Sequence, residues 1–566
     1  MSGPEKTSDA RARRGARWFL VAAAAAVLLK LWLVSAQPIL AIGLGADLDD
    51  RLFLSLANNL LKGQWLGPYS FTTLVKGCFY SMWIAFVHGL RLPLLLSQHL
   101  LYLAAVISFI LAIRPSFPRP WALLLLFALL WFNPSTYSVH ALRVMREGIY
   151  PALTLFVIAG TVGILARWNR PARVLWRWLI GTGVALAAFW QTREEGVWLM
   201  PLVVLVLGWV AVKLWRNHHP RKRSRSLMCL VPLAILGIGD MVIAGINKVN
   251  YGVFTTVEFK APDFLAAYGA LNRVKPTRWE PHVLVTREAR EKVYAVSPSF
   301  AELRPFLEGP VGRGWHCAHI WSDVKEGEIA GGCFMWALRE AAARAGHHVS
   351  GTTAMAYYRK VAQDIDGACA DGKLECLPAR ASMMPPWQDQ FNRPFLQTMA
   401  RAPGFLAGFV GIVADPQPSR GSQASLALFR DLTQNRLAPI GKTAENEPSR
   451  SAKMDTFKIH VLNACVTLFH TMMPLLALLA LALFCVRTMV DLRARRLSDL
   501  WIVEAALLAV IVARLTILSI LEVTAFPGID PLYLSSAYPV LIAFVVLALQ
   551  EGITTASDWK TRWGRR

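Results

Sequence analysis

Ten apolar stretches constrain this chain more than any other feature. They lie at roughly 18–36, 92–113, 120–133, 148–166, 178–192, 196–213, 227–246, 460–486, 500–522 and 532–550. A backbone inside hydrocarbon must satisfy its own N–H and C=O groups, so such runs read as membrane-spanning helices. With 55% hydrophobic and 17% charged residues over 566 positions, the chain reads as a polytopic α-helical membrane protein of about ten spans. The first run follows Arg11, Arg13, Arg14 and Arg17, as in a signal peptide. Its length, and the spans behind it, predict an anchor that is retained. The apolar segment 79–90 is short and is expected to lie along the interface.

Charge orients these spans. With the N-terminus in the cytoplasm, the six cytoplasmic segments (1–17, 114–119, 167–177, 213–226, 487–499 and 551–566) hold 25 Lys and Arg against six Asp and Glu. That surplus of 19 accounts for most of the net charge of +23 and obeys the positive-inside rule. The basic balance therefore reports orientation and contact with anionic membrane lipids, and it argues against nucleic acid as a partner.

The remaining polar clusters then fall on the outer face. The largest is 247–459, a domain-sized insertion between the N-terminal membrane module (1–246) and the C-terminal one (460–566). Its pattern is mixed and mainly helical, with helical spacing at 328–345 and 352–365. It holds Cys317, Cys333, Cys369 and Cys376, and an outer compartment permits disulfides. Cys369 and Cys376 flank a short turn and form a natural pair, which leaves Cys317 for Cys333; four cysteines allow three connectivities. A zinc site from His316, Cys317 and His319 is the rival, weakened by the lack of a CxxC pair.

Chemistry is expected in the first outer loop (37–91), which holds Asp47, Asp49 and Asp50 in ADLDDRLFLSLANN. The plain reading of Asp49 or Asp50 is a helix N-cap. The functional reading needs partners, and the same face offers Lys76, Arg143, Arg146, Arg193, Glu194 and Glu195. Taken singly, cations at span ends anchor to lipid headgroups. Taken together they suit a reaction at a lipid phosphate: Arg grips phosphate with two N–H groups, Lys adds a compact charge, and a carboxylate can take the proton of an attacking hydroxyl.

An acidic pair in the first outer loop, followed here by Arg51-Leu52-Phe53 and Ala57, resembles the membrane glycosyltransferases of the GT-C superfamily. That group includes the aminoarabinose transferases of lipid A and the protein O-mannosyltransferases. The stretches WLGPYSFTTLVKGCFY and TREEGVW are similar to those of a bacterial subset. In arrangement the resemblance covers about 1–250 and 460–550. The chain departs from the pattern at Leu532-Tyr533, where some relatives carry Arg-Tyr, and at Cys78, where Pro is expected. Its outer domain also falls mid-chain rather than at the C-terminus.

The resemblance implies an inverting hexosyl or pentosyl transfer from a polyprenyl-phosphate sugar. The acceptor would be a hydroxyl on a glycan, lipid or protein. Asp49 would be the base, with Asp50 as alternative or orienting partner. Lys76, Arg143, Arg146 and Arg193 would compete for the departing phosphate, Glu194 and Glu195 would orient Arg193, and Tyr69 and Tyr533 would line the substrate. No cofactor is required; a divalent metal serves some members. The protein would sit in the bacterial inner membrane, with both termini cytoplasmic and the large domain periplasmic. Two other readings stand beside this one. A transporter or flippase of lipid-linked sugars predicts ionisable residues deep in several spans, and Lys30, Asp240, Glu504, Arg514 and Glu522 are the visible ones. A non-catalytic envelope assembly protein leaves the acidic pair as caps.

Overall fold

A computed structural model describes residues 4–43, 48–117, 119–317, 324–439, 450–494 and 497–563. Among them the chain is helical, with β-pairing limited to isolated bridges. Six helical stretches are long and apolar enough to cross a membrane: Leu94–Ile113, Ala172–Thr192, Gly196–Arg216, Lys222–Tyr251, Ala452–Arg493 and Asp499–Thr524. Four shorter apolar helices, Trp18–Val34, Pro120–Thr136, Tyr150–Leu165 and Tyr538–Thr554, fall at the other four apolar stretches.

The helices that position the site are α1 (Pro4–Val34), α2 (Asp50–Leu61), α3 (Phe79–Gly89), α4 (Leu94–Ile113), α5 (Tyr150–Leu165), α6 (Ala172–Thr192), α7 (Met200–Arg216) and α8 (Val231–Tyr251). Further along come α9 (Gly331–Arg344), α10 (Asn392–Ala407), α11 (Gln423–Thr433), α12 (Arg450–Arg493), α13 (Asp499–Thr524) and α14 (Tyr538–Trp563). In the membrane module α5 packs on α4, α6 and α7, α6 on α8, α7 on α13, and α12 on α14. Leu475, Leu478 and Leu479 of α12 and Ile238, Met241 and Val242 of α8 stay exposed, as lipid-facing side chains would.

Two apolar cores form. One lies among the apolar helices; the other is built mainly from residues 251–374. The helix α2 is the seam between them. Its Phe53, Leu54 and Ala57 join the first core, while Leu52 and Leu56 join the second. An amphipathic helix with an apolar stripe this wide can be gripped from two sides. The insertion 247–459 also has two packing environments. Ala402 and Leu406 of α10, and Leu426, Phe429 and Leu432 of α11, belong to the first core, among the apolar helices, not to the second.

Local chemistry sets the element ends. The helix α8 stops at Gly252, which sits at φ +81° and closes the C-terminus with its N–H on Lys248 O. Ser350 and Thr353 form a capping box at the start of the helix Gly351–Ala370. Disulfides join Cys317 to Cys333 and Cys369 to Cys376.

Candidate functional site

The loop after α1 is clamped from two sides by backbone pairing. Leu40 N–H donates to Leu142 O (2.9 Å), Ile39 N–H to Arg436 O (2.9 Å) and Arg420 N–H to Ala41 O (2.8 Å). This holds residues 39–43 between the 137–149 loop and the segment around α11. Asp47 lies outside the described residues.

Asp49 occupies the N-cap position of α2, yet its side chain makes no capping bond. Its carboxylate pairs with Lys76 Nζ instead. The carboxylate is 45% exposed and the Lys76 side chain only 7%. Asp50 is fully buried: Arg143 grips it with Nη2 at 2.5 Å and Nε at 3.3 Å, and Val144 N–H donates at 3.2 Å. These environments push the two carboxyls apart. Burial raises Asp49, but Lys76, and behind it Arg143 and Arg146, hold it below the usual carboxylate value. At Asp50 burial outweighs Arg143, and the carboxyl is pushed up to about 6.

A second group of charges stands beside the first. Arg146 Nη1 meets Glu194 at 2.7 and 3.0 Å, and Gly77 N–H donates to the same carboxylate at 2.9 Å. Burial works against the Glu194 charge, but Arg146 and backbone N–H groups prevail and hold its carboxyl at about 2. Arg193, nearly buried, pairs with Glu147 and with Glu195 at 2.7 Å. Arg514 approaches Glu195 at 3.6 Å and donates to Tyr533 O at 2.6 Å. Aromatic faces border the cations: Lys76 Nζ is 5.0 Å from the Phe53 ring centre and 6.0 Å from that of Trp336, and Arg193 is 5.3 Å from Tyr533.

Lys76 owes its place to the segment that forms the second core. Arg339 and Glu258 form a fully buried ion pair, Arg339 Nε donates to Phe71 O at 2.8 Å, and Glu258 N–H donates to Leu74 O at 2.7 Å. On the other side Gly77 presses against α6. A Cβ there would sit 1.9 Å from Gln191 O, so only glycine permits this approach.

Of the residues expected from sequence, Asp49, Asp50, Lys76, Arg143, Arg146, Arg193, Glu194, Glu195 and Tyr533 are thus brought together. Tyr69 stands apart from them: its hydroxyl donates 2.6 Å to Glu258, and its ring lies by Tyr251 and His348. Glu195 pairs with Arg193, whereas Glu194 pairs with Arg146 rather than with the expected Arg193. Among the described residues no cluster of three or more His, Cys, Asp or Glu is placed to hold a metal. Cys317 is disulfide-bonded, so the rival zinc site lacks its thiolate, and His319 lies outside the described residues.

Glu147, Arg514 and Trp336 were not assigned to the site from sequence. Arg514 carried a signal, an arginine inside an apolar span, which by default has a buried partner. Glu147 carried only its adjacency to Arg146.

Each cation here has a carboxylate within reach, so the resting charges nearly cancel. The exception in access is Asp49, far more open to solvent than Asp50, Glu147 or Glu195. A buried ammonium held against an open carboxylate can exchange that partner for an incoming anion.

No family model and no curated protein sequence matches the chain. Two solved structures resemble it, both of ArnT from Cupriavidus metallidurans. The apo structure is 14% identical, covers 94% of this chain and 78% of its own, and has a TM-score of 0.33. The structure bound to undecaprenyl phosphate is 15% identical, covers 94% and 77%, and has a TM-score of 0.33.

Proposed function

We propose that this protein is an inverting membrane glycosyltransferase. It takes a sugar from a polyprenyl-phosphate donor and delivers it to a hydroxyl acceptor on the outer face of the bacterial inner membrane. The observation that carries the proposal is the Asp49–Lys76 pair, an open carboxylate on a buried ammonium, with Arg143 and Arg146 beside it. The GT-C-like acidic pair of the first outer loop supports the same reading.

The donor phosphate, arriving with its lipid in the membrane, draws Lys76 toward itself. Asp49 loses the charge that holds its carboxyl low and becomes a better base. It accepts the acceptor hydroxyl's proton as that oxygen attacks the anomeric carbon from the face opposite the phosphate. The C–O bond to the phosphate breaks, and its electron pair leaves on the phosphate oxygen. Lys76, with Arg146 and Arg143 behind it, stabilises that charge, and stabilising a leaving group in this way is often the largest catalytic contribution. Asp50 acts as positioning partner: it keeps Arg143 aimed and the start of α2 in place.

The test uses the purified full-length protein in lipid nanodiscs with a radiolabelled polyprenyl-phosphate sugar and envelope extract as acceptor. Asp49→Asn should lower transfer about a hundredfold or more while leaving the protein folded. Lys76→Ala should raise the donor KM and lower kcat together. Wild-type turnover by Asp49→Asn would remove the base. In sealed proteoliposomes, passage of intact donor across the membrane without sugar transfer would replace the proposal with transport.

A further inference from the structure

We infer that a cavity in the outer domain, walled by Trp315, Phe306 and the outer half of α9, binds a sugar ring of the acceptor, which makes the acceptor a glycan. The inference rests on the transfer reading above for the word acceptor, and on geometry alone for the sugar.

The helix α9 carries Trp336, Glu340 and Arg344 at spacings of four, on one face. At the inner end of that face, the Trp336 ring centre lies 6.0 Å from Lys76 Nζ. Trp315 stacks near-parallel to Trp336, with centres 6.3 Å apart and planes inclined by 14°. Beyond it opens a cavity of about 510 Å³, lined by Trp315, Glu340 and Arg344 together with Phe306, Pro305 and Pro310. One ammonium-to-ring step and one ring-to-ring step therefore lead from the candidate site to this cavity, a reach of a few linked sugars.

The lining suits a pyranose. Its C–H face packs on an indole while its hydroxyls need a carboxylate and a guanidinium at the rim. Glu340 accepts the Trp315 indole N–H at 2.8 Å and pairs with Arg344 at 3.1 Å, so ring, acceptor and donor form one unit. Arg344 keeps its guanidinium 64% exposed and available to a ligand. The Cys317–Cys333 disulfide ties the Trp315 loop to the first turn of α9, which keeps the two indoles in register. A lipid tail would meet an ion pair in this cavity, whereas a polyhydroxylated ring can bond to both of its charges.

The test is binding of the full-length protein in nanodiscs to a microarray of manno-, gluco-, galacto- and arabino-oligosaccharides. Wild type and Asp49→Asn should bind the same glycans. Trp315→Ala and Glu340→Gln should weaken that binding at least tenfold, and Trp315→Phe should retain part of it. No binding by wild type to any glycan, or undiminished binding by both Trp315→Ala and Glu340→Gln, overturns the inference. Transfer assays separate it from the parent proposal. A raised acceptor KM with unchanged donor KM in Glu340→Gln supports the cavity. Unchanged acceptor KM in that variant and in Trp315→Ala, with Asp49→Asn inactive, sinks the cavity and leaves the transferase standing.

Discussion

Asp49 and Asp50 are neighbours in the chain and opposites in environment. One is open and paired to an ammonium; the other is buried under a guanidinium. No rule of local sequence separates them, because both are good helix-start residues. What separates them is Arg143, which lies 93 positions away and reaches only Asp50 with two N–H groups. The difference sets a pH dependence. The Asp50 carboxyl, raised to about 6, is protonated in the folded protein at pH values where the unfolded chain would have released the proton. Its contribution to stability is therefore full below its unfolded value of about 4 and declines as pH rises through about 6. Asp49 and Glu194 run the other way: their contributions are present above about 4 and fade as pH falls toward their lowered values. Protonating Asp50 also uncouples Arg143. Transfer should thus fall with a midpoint near pH 6, and Asp50→Asn should erase that inflection in the rate profile. The same variant is neutral like protonated Asp50, so its thermal unfolding midpoint in micelles should not decline as pH rises through about 6, whereas the wild-type midpoint should.

At the scale of elements, two connections hold the site together. The helix α2 lies between the first and second cores, so the acidic pair at its start moves only if both cores move. The Lys76-Gly77 turn is wedged between the second core's segment and the end of α6, with Gly77 in contact with Gln191 O and bonded to Glu194. The amphipathic stripe of α2 was legible in the sequence, and so was the helix at 79–90. The wedge was not, because a close backbone approach leaves no mark beyond a glycine, and the chain has 38 of those. Gly77→Ala should force the turn away from α6, pull Lys76 off Asp49 and lower kcat more than tenfold. Gly89→Ala, where a Cβ meets open space at the end of α3, should leave turnover unchanged. Equal effects in the two variants would show that the wedge is not what positions Lys76.

For the molecule as a whole, the proposed orientation predicts labelling. With the native free cysteines replaced, a membrane-impermeant maleimide added to spheroplasts with intact membranes should modify Lys360→Cys, on the exposed face of the helix Gly351–Ala370. It should spare Ser224→Cys, in the basic segment before α8, until the membrane is opened. The reverse pattern would invert the topology and put the candidate site in the cytoplasm. By itself, the sequence determined the helical class, the places of the apolar helices and the face on which each polar cluster is expected. Those properties are local: a span satisfies its own backbone bonds, and a basic loop carries its own charge. Only the tertiary structure decided which carboxylate stays open, that Tyr69 bonds to Glu258 and packs with the second core, and that α10 and α11 belong to the first. Arg514 and Trp336 likewise reach the site only in the folded chain, from hundreds of residues downstream of Asp49. Burial and ion pairing depend on distances between remote segments, and those exist only once the helices have packed.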